Sequence, residues 1–259
     1  MSKSSTLIMP EPHLYQASDN VLQNRIIVIT GAGDGIGRCA ALTFAAHGAT
    51  VILVGKTIEK LESIYDEIEK AGYPQAAIYP LHLGGAVMKD YQDMHDTLAK
   101  EFGVIDGVLH NASILGDRKP IAQTDSTEWQ EVMHVNVNAP FMMTKALLPL
   151  LEQSQDASII FTSSSVGRVG RAYWGPYAVS KFATEGLMQT LADELANTSN
   201  IRVNAINPGA TNTAMRRTAY PAEIPTVNPL PDQIMPLYLY LMGVDSKGIN
   251  AQSIDAQPK

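Results

Sequence analysis

The stretch "RIIVITGAGDGIGRCAALTFAAHG" (25–48) decides the fold. Its opening, "RIIVIT", is a short apolar run rich in β-branched residues, the signature of a buried strand. "GRCAALTFAAHG" (37–48) repeats apolar residues at helical period and closes on Gly48. Between them, "TGAGDGIG" (30–37) holds more glycine than a bare connection needs. A strand, a glycine turn and a helix in that order are what a phosphate-binding loop requires. Glycines permit positive φ and close backbone approach, and the first N–H groups of the helix face an anion. The spacing is Gly31-x3-Gly35-x-Gly37, with Gly33 and Asp34 inside it, rather than GxGxxG. An ordinary tight turn is the alternative; the crowding of glycines favours nucleotide binding.

The same alternation continues downstream. Strands are expected over 50–55, 76–83, 105–112, 157–165, 201–209 and 249–255. Helices are expected over 57–72, 87–103, 126–153, 176–197 and 232–243, the third capped by Ser126 or Thr127. Strands alternating with helices imply a parallel sheet covered on both faces, an α/β doubly wound fold. No repeat or linker divides the chain, so one domain is expected over 21–259, preceded by an irregular arm over 1–20.

Composition narrows the function. A chain of 259 residues, 45% hydrophobic, suffices for one well-buried core. The net charge of −7 and the absence of a basic block argue against nucleic acid. The opening segment lacks the apolar core of a signal peptide, and no apolar run is long enough to cross a bilayer. Cys39 is the only cysteine, which excludes an internal disulfide and suits a reducing compartment. A cytoplasmic protein is therefore expected. The six histidines lack zinc-motif spacing, so no metal site is expected.

Cofactor choice turns on the second strand. An acidic residue about 20 positions beyond the loop usually holds the adenosine ribose of NAD. Here Gly55 ends the strand and Lys56 follows, with no carboxylate from Leu53 to Ile58. A cation in place of the acid suits a 2′-phosphate, which favours NADP(H) over NAD(H). A solvated surface lysine is the plain alternative, and Asp34 places negative charge in the same region.

Farther along, "HNAS" (110–113) and Tyr177-x3-Lys181 follow the glycine loop in chain order. Together these motifs resemble the short-chain dehydrogenase/reductase family over roughly residues 22–255. The stretches "VNVNAPFM" (135–142), "FTSSSVGR" (161–168), "SKFATEG" (180–186) and "INPGATNTAMR" (206–216) are most similar to its YciK-like bacterial oxidoreductases. The resemblance implies a pyrophosphate loop of Gly31, Gly35, Ile36 and Gly37. It implies that Asn111 and Ala112 lie by the adenosine ribose, and that Pro208, Gly209 and Thr211 meet the nicotinamide half. A catalytic tetrad of Asn136, Ser164, Tyr177 and Lys181 follows from the same likeness, with the segment near 212–230 covering the substrate. Two positions depart from the family. His82, followed by Leu83, stands where an aspartate usually lies near the adenine, and Ser113 replaces the glycine of "NAG". For His82 an adenine contact and a partly buried strand-end histidine are equally open.

Physical chemistry supports part of that tetrad independently. A tyrosine with pKa about 10 is a poor proton shuttle until a nearby cation favours its anion. Four residues apart on a helix, Tyr177 and Lys181 share a face about 5–6 Å apart, and Pro176 suits the first turn. Among Ser163, Ser164 and Ser165, physics does not choose; the family offset of thirteen residues before the tyrosine selects Ser164. Asn136 lies four residues before Pro140, which has no N–H, so its carbonyl is left free and a kink is expected. The resemblance then implies a water there, linked to Lys181. Arg168, Arg171 and Trp174, with Arg216 and Arg217, are placed to meet an anionic substrate, though surface or interface roles are commoner.

The resulting expectation is a single Rossmann-type domain that transfers hydride between NADP(H) and a small carbonyl or alcohol substrate. Tyr177 and Lys181 also touch the cofactor in this reading, and the family implies a homodimer or homotetramer. An NADP(H)-binding sensor or scaffold, and an NAD-linked enzyme of the same fold, are the alternatives.

Overall fold

The computed structural model describes residues 11 and 14–258. Seven strands form one parallel sheet. They are β1 (Ile26–Thr30), β2 (Thr50–Gly55), β3 (Ala77–Pro80), β4 (Gly107–His110), β5 (Ala157–Thr162), β6 (Ile201–Asn207) and β7 (Ser253–Asp255). Among the described residues eight α-helices lie between them: α1 (Gly35–Ala46), α2 (Ile58–Ala71), α3 (Met88–Glu101), α4 (Ser126–Met133), α5 (Ala139–Leu151), α6 (Gly175–Leu195), α7 (Ala214–Ala219) and α8 (Met235–Met242).

The central strands read as unbroken apolar runs because helices cover both faces. Successive side chains point to opposite faces. Ile27, Ile29, Val51 and Leu53 therefore join Phe44 of α1, Leu61 of α2 and Leu241 of α8 in one core. Val28, Ile52 and Val54 join Met94 of α3, Leu147 of α5 and Met188 of α6 in the other.

Strand order is β3-β2-β1-β4-β5-β6-β7. The chain winds outward from β1 one way and from β4 the other, which opens a crevice beyond the carboxyl ends of those two strands. Pairing of Ile29 with Leu109 brings Gly31 and Asn111 to that crevice together. Thr30 fastens them: its Oγ1 accepts from the Asn111 and Ala112 amides, each at 3.0 Å.

Several expected boundaries change. Third, fourth and last strands are shorter than expected, because the chain turns as soon as sheet pairing ends. The helix expected over 126–153 is capped by Asp125, whose Oδ1 accepts from the Thr127 amide at 2.7 Å, and not by Ser126 or Thr127. It also widens into a π turn over His134–Asn138, where the Ala139 amide reaches back to the His134 carbonyl. Pro140 has no N–H for the Asn136 carbonyl, so the expected kink takes the form of this turn. Helix α7 was not anticipated. Of the expected arm, residues 1–10, 12 and 13 lie outside the described residues. Tyr15 is docked, its ring 5.1 Å from that of Tyr240 and its hydroxyl donating to Asp245 at 2.7 Å. No described helix is long and apolar enough to cross a membrane.

Candidate active site

A cavity of about 450 Å³ fills the crevice. At one end is the glycine loop. Gly31 and Gly35 adopt φ +67° and +53°, which L side chains rarely tolerate. Gly31, Gly33, Asp34, Gly35 and Ile36 all line the cavity. Gly37 lies behind them rather than on the cavity wall. A Cβ there would sit 2.2 Å from the Gly31 carbonyl oxygen, so this glycine lets α1 pack under the loop.

Asp34 has a different task from the one its charge suggests. Its side chain caps α1 by accepting from the Gly35 amide at 2.7 Å and pairs with Lys60 at 2.6 Å. The Lys60 hydrogen bond, with that of the amide, holds the carboxyl below its usual range. Lys56 and Lys60 both line this end, and Lys56 makes no ion pair among the described residues. Sequence reasoning missed Lys60. Its signal was the four-residue spacing from Lys56 across the start of α2.

Beyond β3, His82 and Leu83 line the same end, and His82 is exposed in a turn closed by the Gly85 and Ala86 amides on its carbonyl. His82 is thus exposed rather than partly buried, two residues beyond the end of β3. Asn111, Ala112 and Ser113 form the floor. Ser113 avoids the left-handed backbone region, so a side chain fits where the family has glycine. Its hydroxyl is buried with no partner.

At the other end stand Ser164, Tyr177 and Lys181. The structure separates the three serines. Ser163 and Ser164 both line the cavity, but the Ser163 hydroxyl is buried and donates to Glu185, whereas the Ser164 side chain is bonded to Tyr177; Ser165 opens a 3-10 turn. Pro176 occupies the first turn of α6, as read from the sequence. The Lys181 ammonium stands 5.5 Å from the Tyr177 ring centre but donates to the Thr162 carbonyl at 2.8 Å. Burial pushes the Tyr177 phenol up to about 12, opposed by the Ser164 hydrogen bond. Burial also pulls Lys181 down to about 8, opposed by the Glu185 carboxylate. The expected depression of Tyr177 by Lys181 is thus absent from the protein alone: the cation is tied to β5, and desolvation of the phenol dominates.

Asn136 is buried one layer behind the cavity. Its amide is taken up by the Ile114 backbone and by Ser180 Oγ, at 3.0 Å. Its carbonyl accepts from Thr184 Oγ1 at 3.5 Å.

Pro208, Gly209 and Thr211 line the cavity beside Tyr177. Gln257, which sequence reasoning also missed, braces them. Its Nε2 donates to the carbonyls of Pro208 at 2.8 Å and Ala210 at 3.0 Å. Only the folded sheet brings the chain's end to this loop, so no local pattern signals it. Arg168 turns away, toward Asp255 at 2.5 Å and Ser253 at 2.7 Å. Arg217 bonds Asn212 at 2.8 Å, and Arg171 is exposed and does not line the cavity. Trp174 and Arg216 do line it. Among the described residues no group of three or more His, Cys, Asp or Glu could hold a metal ion.

A family profile described as short chain dehydrogenase matches residues 25–224. The oxidoreductase YciK of Escherichia coli K12 is 51% identical over 244 residues, 94% of this chain and 96% of that protein. A short chain dehydrogenase from Escherichia coli CFT073, crystallised with NADPH, superposes with TM-score 0.91 at 52% identity, covering 93% of this chain and all of that one. A Shigella flexneri 2a short chain dehydrogenase complexed with NADP gives TM-score 0.90 at 50% identity, with the same coverage.

Proposed function

Because the chain belongs to the short chain dehydrogenase family and is one of its oxidoreductases, we propose that it transfers hydride between NADP(H) and a small carbonyl or alcohol substrate. One observation carries this reading: Ser164, Tyr177 and Lys181 converge at one end of a cavity whose other end is a glycine loop flanked by Lys56 and Lys60. The residues fit the cofactor. Gly31 and Gly35 leave the loop open for a pyrophosphate, and the two lysines suit a 2′-phosphate. NADP or NADPH in the related crystals supports the same choice.

When bound, NADPH supplies the hydride. Tyr177 donates the proton to the substrate oxygen during reduction and recovers it during oxidation. Ser164 donates a hydrogen bond to that oxygen and stabilises its developing charge. Lys181 is placed to favour the phenolate once its ammonium is released from the Thr162 carbonyl, and the Asn136 carbonyl anchors a water that links Lys181 to solvent. Phe141 on α5 and Val179 and Phe182 on α6 stay exposed, 40% or more, and this apolar face suits a second copy in a homodimer or homotetramer. A reducing cytoplasm suits the free Cys39.

Tyr177→Phe tests the assignment. It is expected to lower turnover of NADPH with carbonyl substrates by about 10²–10⁴-fold while NADPH still binds. Substantial residual turnover sinks it.

A further inference from the structure

Past Tyr177 the cavity ends in a box built from separated stretches of chain. Ile114 and Leu115 come from the loop after β4, Trp174 precedes α6, and Met215 and Ala219 belong to α7. Leu115, Trp174 and Met215 pack with Tyr177 as a small apolar cluster.

Two arginines border this box, and both are committed. Arg216 grips Glu223 with two prongs, Nε to Oε2 at 2.7 Å and Nη2 to Oε1 at 2.6 Å, and lies 3.8 Å from the Tyr220 ring centre. Arg118 donates to the Ala219 carbonyl, and its guanidinium stands 4.7 Å from the ring centres of both Trp174 and Tyr220. Of the two carboxylates on the cavity wall, Asp34 belongs to the glycine loop, and Glu131 lies one helical turn from Val135, which packs beside Gly84 beyond β3, at the far end.

We propose that this end of the site takes a neutral, apolar carbonyl compound, and that Arg118, clamping Trp174 to Tyr220, holds α7 in place as its roof. The proposal rests on the reductase reading above. An anionic substrate entering an apolar box needs a cation free to meet it, since an unpaired charge there is costly. Arg216 is already neutralised by Glu223, and Arg118 is engaged with two rings and a backbone carbonyl. A neutral ketone asks only for hydrogen bonds at its oxygen, which Tyr177 and Ser164 offer.

The roof needs the clamp for a physical reason. Six residues are too few for a helix to hold itself in water. Thr213 caps the start of α7 by accepting from the Arg216 amide at 3.1 Å. At the other end, the Ala219 carbonyl is one of the acceptors that a helix leaves unpaired, and Arg118 supplies its donor. Arg118 thereby joins the loop after β4 to both α6 and α7. A lysine keeps the charge but lacks the flat guanidinium that lies against both rings.

The experiment uses the full chain with Trp129→Phe, which leaves Trp174 as the single tryptophan. Acetophenone and 4-acetylbenzoate present the same ketone without and with a carboxylate. Binding to the NADP⁺ complex is read from Trp174 emission, and turnover from NADPH absorbance. Acetophenone is expected to bind at least about ten-fold more tightly than 4-acetylbenzoate. Arg118→Ala should weaken acetophenone by about ten-fold, shift Trp174 emission to the red and leave NADPH affinity within about two-fold. Arg118→Lys should match it. Equal or tighter binding of 4-acetylbenzoate, or no response of Trp174 to either ketone, overturns the apolar assignment. Wild-type behaviour of Arg118→Lys, or unshifted emission in Arg118→Ala, overturns the clamp. Acetophenone binding without turnover supports the box and counts against the reductase reading.

Discussion

The Asn136 side chain pairs with both backbone groups of Ile114: Oδ1 accepts from its N–H and Nδ2 donates to its carbonyl, each at 2.9 Å. The π turn of the helix and the loop that floors the cavity are thereby fixed to each other. Asn136→Ala leaves the Ile114 groups without partners and should cost about 1–3 kcal/mol. For a chain of this size that is a fall of roughly 2–4 °C in melting temperature per kcal/mol. Asn136→Asp keeps the acceptor, loses the donor and buries a charge, so it should melt lower still. A calorimetric scan of the three proteins checks the order; an unchanged melting temperature in both variants refutes it.

Glu185 sets a second expectation. Its Oε1 accepts from Ser163 and from Ser253 Oγ at 2.7 Å, and its charge opposes the loss of the Lys181 proton. With Lys181 at about 8, kcat/KM for NADPH should fall as pH rises through that value. Glu185→Gln keeps an acceptor but removes the charge, so the falling limb should move to lower pH. Were Glu185 only structural, the limb would stay in place while the rate dropped at every pH.

His110 carries a prediction about acid. It is buried, its Nε2 pairs with Thr144 Oγ1 at 2.8 Å, and its ring stacks on Phe161 at 4.9 Å. Burial pulls its pKa down to about 3, from 6.5. The unfolded chain therefore takes up this proton before the folded one does. Stability due to His110 is complete above pH 6.5 and is lost as pH falls from there toward about 3. His110→Gln keeps a hydrogen-bonding side chain and cannot titrate. Its urea midpoint should vary less between pH 7 and pH 4 than that of the wild type; parallel curves would exclude His110 as a source of acid sensitivity.

Lys56 and Lys60 are expected to divide the work at the adenosine end. Lys56→Ala should reduce the preference for NADPH over NADH by about ten-fold or more, the scale of one charge-assisted contact. Lys60→Ala also unmasks the Asp34 carboxylate, so adding Asp34→Asn should recover part of its loss in NADPH affinity. Fluorescence titrations with both cofactors decide this. An unchanged NADPH:NADH ratio in Lys56→Ala removes its assignment to the 2′-phosphate.

Much of the fold and part of the site were legible in the linear chain. Each rests on a relation confined to neighbouring residues. The run from Arg25 to Gly48 encodes strand, turn and helix by period and by glycine. Tyr177 and Lys181 meet because a helix repeats, and Pro140 perturbs its helix because it has no N–H, wherever that helix lies. Other assignments needed the sheet to form. Gly37 serves packing rather than the cavity because the Gly31 carbonyl folds back over it. Ser164, rather than Ser163, meets Tyr177 because the Ser163 hydroxyl is taken by Glu185. The pairs Arg118–Ala219 and Gln257–Pro208 join positions far apart in sequence. Periodicity, caps and turns are local, so the sequence by itself determined the alternating α/β plan and the Tyr–Lys helix face. Burial and long-range pairing depend on which strands become neighbours, so only the tertiary structure decided which serine meets Tyr177, where Lys181 directs its proton, and what holds the roof.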